Sequence, residues 1–482
     1  MFTSVARMAT IAAISCSCCI GLCDGRLGHR AGDHLAPGLP TRGLAMSVES
    51  NNNNNPDALS RLYRKISWRL LPFLLLCYVF AYLDRVNIGF AKLQMQADLG
   101  FNDKVYGIAA GMFFVGYVLF EVPSNLMLPK VGVRRTVGRI MVLWGLTSTS
   151  MLFVQSQTTF YVLRFILGVF EAGFAPAMIF YMTYWYAQKR MASVMSIIWL
   201  AAPLAGIFAA PVSTWIMDAF AGHGGLAGWQ WMFLLEGLPC AALGVVAWFY
   251  LTDRPADADW LSADEKRLLA AQVNVEKAPH HSFKAVMRDP KIYLLAAAYF
   301  CLLNGIYTTS FWLPTLLRDA GIADIKQIGL YTAIPYVAAV VAMIVFSRSS
   351  DRHGERRLHS AIPALIAAVA LACSTQIIGN LFWTMVSLIV ATSMSWVAYT
   401  VFWAMPGQFL KGDSAAGGIA LINSIGQTGG FFSPIIIGWA KTATGTTSSG
   451  LLLMSSLLVV GALLLLASRA PEQSIASALP VQ

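Results

Sequence analysis

"PKVGVRR" at residues 129–135 and "SDRHGERR" at residues 350–357 are the two stretches whose comparison decides the fold. Gly132, Arg134 and Arg135 share their spacing with Gly354, Arg356 and Arg357, and the second copy adds Asp351 and Arg352. Each stretch follows an apolar run of about the twenty residues that cross a bilayer, near residues 105–128 and 328–347. Topology alone accounts for arginines in such loops, but not for the repeated glycine. The recurrence marks a duplicated unit, and paired repeats hold a carried substrate at their interface near the membrane mid-plane.

Working outward from these loops, comparable apolar runs cover about residues 68–90, 105–128, 139–155, 160–182, 193–217 and 231–251, then 292–316, 328–347, 360–379, 382–404, 416–439 and 450–468. Numbered in that order, they predict an all-α membrane protein with twelve transmembrane helices as two pseudo-symmetric six-helix bundles. The expected organisation is an N-terminal disordered tail over 1–58, a first bundle over 59–251, a linker over 252–291, a second bundle over 292–469 and a tail over 470–482. The linker contains one helical-looking stretch, "SADEKRLLAAQ". Composition agrees: 57% of the 482 residues are hydrophobic and 12% charged, about half the charged share of a soluble domain, and the mean hydropathy is +0.61.

The net charge of +10 does not indicate a nucleic-acid partner, because the basic residues fall in short loops rather than along one soluble face. Placing both termini in the cytoplasm puts roughly 23 Lys and Arg on that side against roughly 5 outside, the bias of the positive-inside rule. A plasma (inner) membrane location follows as the expectation. Residues 9–23, "ATIAAISCSCCIGLC", have the look of a signal segment, but Arg61, Arg64 and Lys65 would then lie outside. Met46 is an alternative start, which would make residues 1–45 an extension, with Asn51 to Asn55 in a disordered tail. Cys16, Cys18, Cys19 and Cys23 crowd that tail, while Cys77, Cys240, Cys301 and Cys373 stand singly. This spacing gives neither a disulfide framework nor a metal site, and no cofactor is expected. All seven histidines fall in tails or loops, so a proton carrier inside the membrane has to be a carboxylate.

The acids within the apolar runs are Asp84, Glu121, Glu171 and Glu236, and the bases are Arg85 and Arg164. A charge at the bilayer centre costs roughly 3 kcal/mol on the insertion scale, so such residues mark function. Arg164 and Glu171 are seven residues apart, about two helical turns, and share a face. Span 1 offers Asp84 and Arg85 beside them, and pairing is the cheapest arrangement, with Arg85 on Glu171 and Asp84 on Arg164 as the expected partners. Arginine suits carboxylate recognition, since its planar fork makes two parallel hydrogen bonds and stays charged. Glu121 and Glu236 lie nearer span ends and read as structural, satisfied by snorkelling or a cap.

The paired loops resemble those of the major facilitator superfamily, over about residues 60–470. The second copy fits the superfamily's motif; the first has Pro129 in place of its acid, which removes the usual charge lock there. Gly132, Arg134, Arg135, Asp351, Arg352, Gly354, Arg356 and Arg357 are therefore the expected cytoplasmic gating motif. "YLDRVN", "GYVLFEVPSN", "LRFILGVFEAGFAPA", "GWQWMFLLEGLP" and "GGIALINSIGQTGGFFSPIIIGWA" look like the anion:cation symporter branch, whose members carry tartrate, phthalate, 4-hydroxyphenylacetate and sugar acids. That resemblance implies proton coupling through Asp84 and Glu171, an anion site at Arg85 and Arg164, and pocket positions at Tyr117, Trp403 and Asn423. Where sugar-acid carriers have a span 5 Gln this chain has Ala202, which weakens hydroxyl recognition. Asn304 and Tyr307 lie three apart on span 7, as do Thr400 and Trp403 on span 10, and all four join the candidate substrate set.

The expectation is a monomeric secondary transporter, not an enzyme, importing an organic carboxylate with protons, sodium remaining open as the coupling ion. No nucleotide-binding P-loop is evident. The alternatives are a drug or organic-anion antiporter, and an organic-acid receptor that binds without transport.

Overall fold

The structure, a computed structural model, describes residues 56–273, 288–377, 380–406 and 413–468. Residues 1–55, which hold most of the expected N-terminal tail and its cysteine cluster, lie outside them, as do 274–287 of the linker and the tail 470–482.

Every regular element among the described residues is a helix. Span 1 is α1 (Pro56–Val86) continued by α2 (Ile88–Leu99); span 2 is α3 (Asp103–Val131) and span 3 is α4 (Val133–Ser150). Span 4 comprises α5 (Gln157–Glu171) and α6 (Phe174–Trp185), span 5 comprises α7 (Gln188–Trp199) and α8 (Ala201–Ala219), and span 6 is α9 (Gly228–Tyr250). The linker helix predicted from sequence is α10 (Ala263–Val273), tied to span 1 by an ion pair of Lys65 with Glu265 at 2.7 Å. Spans 7 to 10 are α11 (Pro290–Asp319), α12 (Ile325–His353), α13 (Arg357–Ser374) and α14 (Leu381–Phe402). Span 11 is α15 (Asp413–Gln427) with α16 (Gly429–Thr444), and span 12 is α17 (Ser448–Ala467).

Among the described residues, ten helical stretches are long and apolar enough to cross a membrane by length and composition. The other two expected spans miss for identifiable reasons. α4 carries Arg134, Arg135 and Arg139 in its first two turns, and span 11 breaks at Thr428 into two pieces too short to count alone. Large apolar side chains such as Phe153, Phe249, Phe382 and Trp439 lie on the outside. Such a surface is a liability in water and is what hydrocarbon covers. The chain is an integral membrane protein.

Packing repeats between the halves as the loops do. Span 3 packs on span 6, span 2 on span 4 and span 1 on span 5; span 9 packs on span 12, span 8 on span 10 and span 7 on span 11. The halves meet where span 2 lies against span 11 and span 5 against span 8, again a symmetric pair. Both loop glycines take left-handed-side φ angles, 88° at Gly132 and 66° at Gly354, where a side chain is strained. After span 8, Arg356 pairs with Asp351 at 2.5 Å and Arg357 donates to the Leu466 carbonyl. After span 2, Asp253, following α9, accepts from the Arg134 amide at 2.8 Å. An acid remote in sequence thus reaches the first loop.

Candidate functional site

The site begins where span 1 passes from α1 to α2 through Asn87, which keeps helical geometry, and where span 4 breaks. α1 ends at Val86, just after Asp84 and Arg85, and α5 ends at Glu171 itself. Gly173 follows at φ 91°, and a Cβ there would lie 2.2 Å from Ser124 Oγ, so span 4 turns at this point only with glycine. One turn earlier α5 rides directly on α3. A Cβ on Gly168 would fall 1.9 Å from the Phe113 carbonyl oxygen, and one on Gly116 would fall 2.2 Å from that of Phe165. Paired small residues of this kind let two membrane helices approach backbone to backbone.

That approach sets Glu171 across from Arg85. Glu171 Oε1 accepts from Arg85 Nε at 3.1 Å and also from Nη2, while Oε2 is buried without a hydrogen bond. Arg85 Nη1 donates to the Tyr307 hydroxyl at 3.3 Å, and that hydroxyl donates to Gln427 Oε1 at 2.9 Å. The guanidinium lies over Phe113 and Tyr117, at 5.2 and 5.4 Å from the ring centroids, in cation–π range. A narrow cleft opens beside it, lined by Tyr78, Ala81, Tyr82, Arg85, Tyr117, Glu171, Phe174 and Ala175. Apolar walls around one guanidinium and one carboxylate are what an organic anion with a hydrophobic body needs.

Asp84 faces the other way. Its carboxylate accepts from Trp144 Nε1 at 2.7 Å, Ser148 Oγ at 3.0 Å and Asn87 Nδ2 at 3.4 Å. The pairing of Asp84 with Arg164 expected from sequence is not formed. Arg164 sits on α5 one turn before Gly168, so the close helix contact turns it against α3. There its Nε donates to the Ala109 carbonyl at 3.4 Å and its charge lies 5.2 Å from the Phe113 ring. Both of its terminal nitrogens are buried with no hydrogen-bond partner. An unmet guanidinium inside a bundle is costly, and a carboxylate is the group that meets it.

The remaining candidates lie outside this cavity's lining. Asn304 donates to the Phe300 carbonyl of its own helix at 2.8 Å, and Thr400 to that of Trp396 at 2.8 Å. Trp403 stacks on Trp199 across the halves, with centroids 6.4 Å apart and an interplanar angle of 5°. Asn423 Nδ2 donates to Glu121 Oε1 at 2.7 Å, and Ser424 donates to Oε2 at 3.2 Å. Glu121 is therefore buried against span 11 and satisfied there by side chains, not by the expected snorkelling or cap. The same holds for Glu236, which is 2% exposed and accepts from Ser213 and Asn87. Sequence reasoning missed Asn87, Trp144, Ser148 and Gln427, neutral side chains that carry no charge signal.

It also missed Lys92. This lysine is buried on α2, pairs with Asp103 at 2.6 Å, donates to Thr315 Oγ1 at 3.0 Å and lies 3.9 Å from the Trp312 ring centroid. Around it Tyr106 donates to the Phe311 carbonyl, Arg318 to that of Leu93, and Lys326 pairs with Asp218. These contacts tie the two halves together at the end opposite the paired loops.

The profile of the Major Facilitator Superfamily matches residues 74–434. A protein of Agrobacterium vitis described as "Putative tartrate transporter" is 46% identical over 436 residues, 89% of this chain and 99% of that one. The "Putative metabolite transport protein NicT" of Pseudomonas putida is 44% identical over 411 residues, 84% of this chain and 93% of its own length. Among solved structures, that of a D-xylose-proton symporter superposes with a TM-score of 0.67 at 12% identity, covering 83% of this chain and 97% of the symporter.

Proposed function

The chain belongs to the major facilitator superfamily, and from that premise we propose that it is a proton-coupled importer of an organic carboxylate. It is a membrane transporter of the superfamily's organic-anion-like branch, not an enzyme. The observation that carries the finer reading is the sharing of Arg85 between Glu171 and the apolar cavity. A substrate carboxylate entering the cavity competes with Glu171 for the same planar fork. As Glu171 lets go, its carboxylate is left without a cation in a buried site and takes up a proton. The exchange leaves the loaded site near neutral, the state in which the two halves can rock about it. Asp84, held only by neutral donors, is the second proton carrier, and Arg164 is the second cation facing the anion.

Tyr117 and Tyr307 line or border the guanidinium, while Asn304, Thr400, Trp403 and Asn423 belong to the path a substrate follows as the halves part. The basic loops belong to the cytoplasmic side and the Lys92 end to the outside, with the protein a monomer in the plasma membrane and sodium replaceable for protons only if uptake follows a sodium gradient. The relatives named for tartrate and for metabolite transport support a small or aromatic acid as cargo.

The test is uptake by cells expressing the protein, using labelled tartrate, phthalate, 4-hydroxyphenylacetate and galactonate, each with and without a protonophore. Accumulation of one acid that collapses with the protonophore is expected. Binding of an acid without flux would instead make the protein a receptor, and flux outward would make it an exporter.

A further inference from the structure

The mechanism above leaves two buried carboxylates unused, Glu121 and Glu236. Glu236, on α9, is 2% exposed, and among the described residues no lysine, arginine or histidine lies within 4 Å of its carboxylate. Its Oε1 accepts from Ser213 Oγ at 2.6 Å and its Oε2 from Asn87 Nδ2 at 3.1 Å. The same Asn87 nitrogen points at Asp84 Oδ1, 3.4 Å away. Asp84 is fully buried, and its other partners, Trp144 and Ser148, are neutral. Two carboxyl groups thus share one amide, and every side chain that donates a hydrogen bond to either of them is neutral.

We propose that Asp84, Asn87 and Glu236 form a single proton-binding site in which the two carboxyl groups share a proton across the Asn87 amide. Two carboxylates so placed cannot both hold full charge cheaply, and a proton on either one relieves both. The amide is suited to stand between them, because it donates through nitrogen to an ionised acid and accepts through oxygen from a protonated one. Asn87 Oδ1 is buried with no hydrogen-bond partner. An O–H from a protonated carboxyl is the donor that this oxygen lacks, and a turn of the amide presents it.

Position gives the shared proton a consequence. Asn87 is the residue between α1 and α2, two residues from Arg85. Whether its amide donates to both acids or bridges one acid and one carboxylate alters what anchors span 1 beside the substrate arginine. The other titratable groups around the site are the Cys77 thiol on α1, the Cys240 thiol on α9, and Arg164 and Glu171 on span 4. From α4 only Trp144 and Ser148 reach it, and from α8 only Ser213. The role of this site in transport rests on the proton-coupled reading above; the shared proton itself does not.

The experiment is infrared difference spectroscopy of the full chain in lipid nanodiscs, following the carboxylic-acid C=O stretch through a pH titration. Wild type is compared with Glu236→Gln, Asp84→Asn, Asn87→Ala and Glu171→Gln. Glu236→Gln should remove one band and move the midpoint of the Asp84 band by about one pH unit or more, the mark of coupled sites. Asp84→Asn should move the Glu236 band reciprocally, Asn87→Ala should shrink both shifts, and Glu171→Gln should leave the coupling in place. If either carboxyl titrates unchanged when the other is neutralised, the proposal is wrong. Should Glu236→Gln fail to fold, Asp84→Asn reads the same coupling from the other side. Uptake of the four acids by the same protein in liposomes separates the two ideas. Coupled titration without protonophore-sensitive uptake would defeat the transport reading alone, and proton-driven uptake with independent titration would defeat the shared site alone.

Discussion

Replacing Glu171 by Gln should weaken the empty protein and tighten its grip on an anion. Glu171 Oε1 receives two nitrogens of Arg85, and once the charge is gone only the Tyr307 hydroxyl and the faces of Phe113 and Tyr117 remain for the guanidinium. Breaking a buried ion pair from one side costs about 3–5 kcal/mol. The Arg85 side chain keeps 12% exposure, so the lower end, about 3 kcal/mol, applies. The same change removes the competitor that a substrate has to displace. A charge-assisted hydrogen bond is worth about 1.5–3 kcal/mol, which converts to roughly 10- to 100-fold tighter binding of the carboxylate. Thermal unfolding of purified protein, with and without each of the four acids, reads both effects: a lower melting temperature alone and a larger upward shift on ligand. Wild-type affinity should fall as pH rises, because deprotonation restores the competing carboxylate, while the variant's affinity stays flat. In liposomes the variant should exchange substrate but not accumulate it against a gradient. Weaker binding with unchanged stability would refute the competition on which the mechanism depends.

Three further outcomes are expected. Gly168→Ala places a methyl 1.9 Å from the Phe113 carbonyl oxygen and 2.9 Å from the Tyr117 amide; backbone cannot yield, so a loss of about 3 kcal/mol or more is expected in unfolding experiments, with loss of uptake. Lys92→Met removes a cation–π contact and a hydrogen bond across the halves, together about 2 kcal/mol, so a cysteine at Ser310 should become labelled roughly 30-fold faster from the Lys92 end. Glu355 caps α13, accepting from the Leu358 amide at 2.9 Å and the His359 amide at 3.2 Å. Partial burial raises its pKa, but the bonds from Leu358 and His359 outweigh it and hold the carboxyl below its ordinary value. A depressed acid stabilises above the ordinary carboxylate range and stops doing so as pH falls through its lowered value. Exchange of the Leu358 and His359 amides should therefore accelerate below about pH 4 in wild type relative to Glu355→Gln, and equal behaviour of the two would contradict the cap.

The sequence showed where the spans run and where the halves repeat because both leave one-dimensional traces: apolar length, loop charge and a glycine at fixed spacing. It also marked Arg85 and Glu171 as partners, since a charge in hydrocarbon seeks its opposite. It mispaired Arg164, whose direction is fixed by Gly168 meeting Phe113 on another helix, a contact that no spacing along span 4 encodes. Asp253 reaches the Arg134 amide from more than a hundred residues away, and loop motifs read locally cannot find it. Glu121 and Glu236 looked peripheral because position along a span does not show that Asn423 and Ser424, or Ser213 and Asn87, reach in from other helices. Trp144, Ser148 and Asn87 were invisible, because neutral donors are common in any span and become specific only when aimed at a carboxylate.

The continuity of span 1 gives these side chains a joint meaning. Arg85 lies two residues before Asn87 and Lys92 five residues after it, and Asn87 keeps helical geometry, its amide donating to the Leu83 carbonyl and its carbonyl accepting from the Ala91 amide. The first part of the span holds the arginine shared with Glu171, and the second holds the lysine that joins Asp103 to Thr315 and Trp312 of the other half. On one continuous helix both side chains turn together, so each site is locked to the phase of the other. The residue between them is the one whose amide spans Asp84 and Glu236. Anion site, acid pair and seal therefore meet at Asn87, and a substitution there should disturb all three, whereas a substitution at Arg85 or Lys92 should disturb one directly and the others only through it.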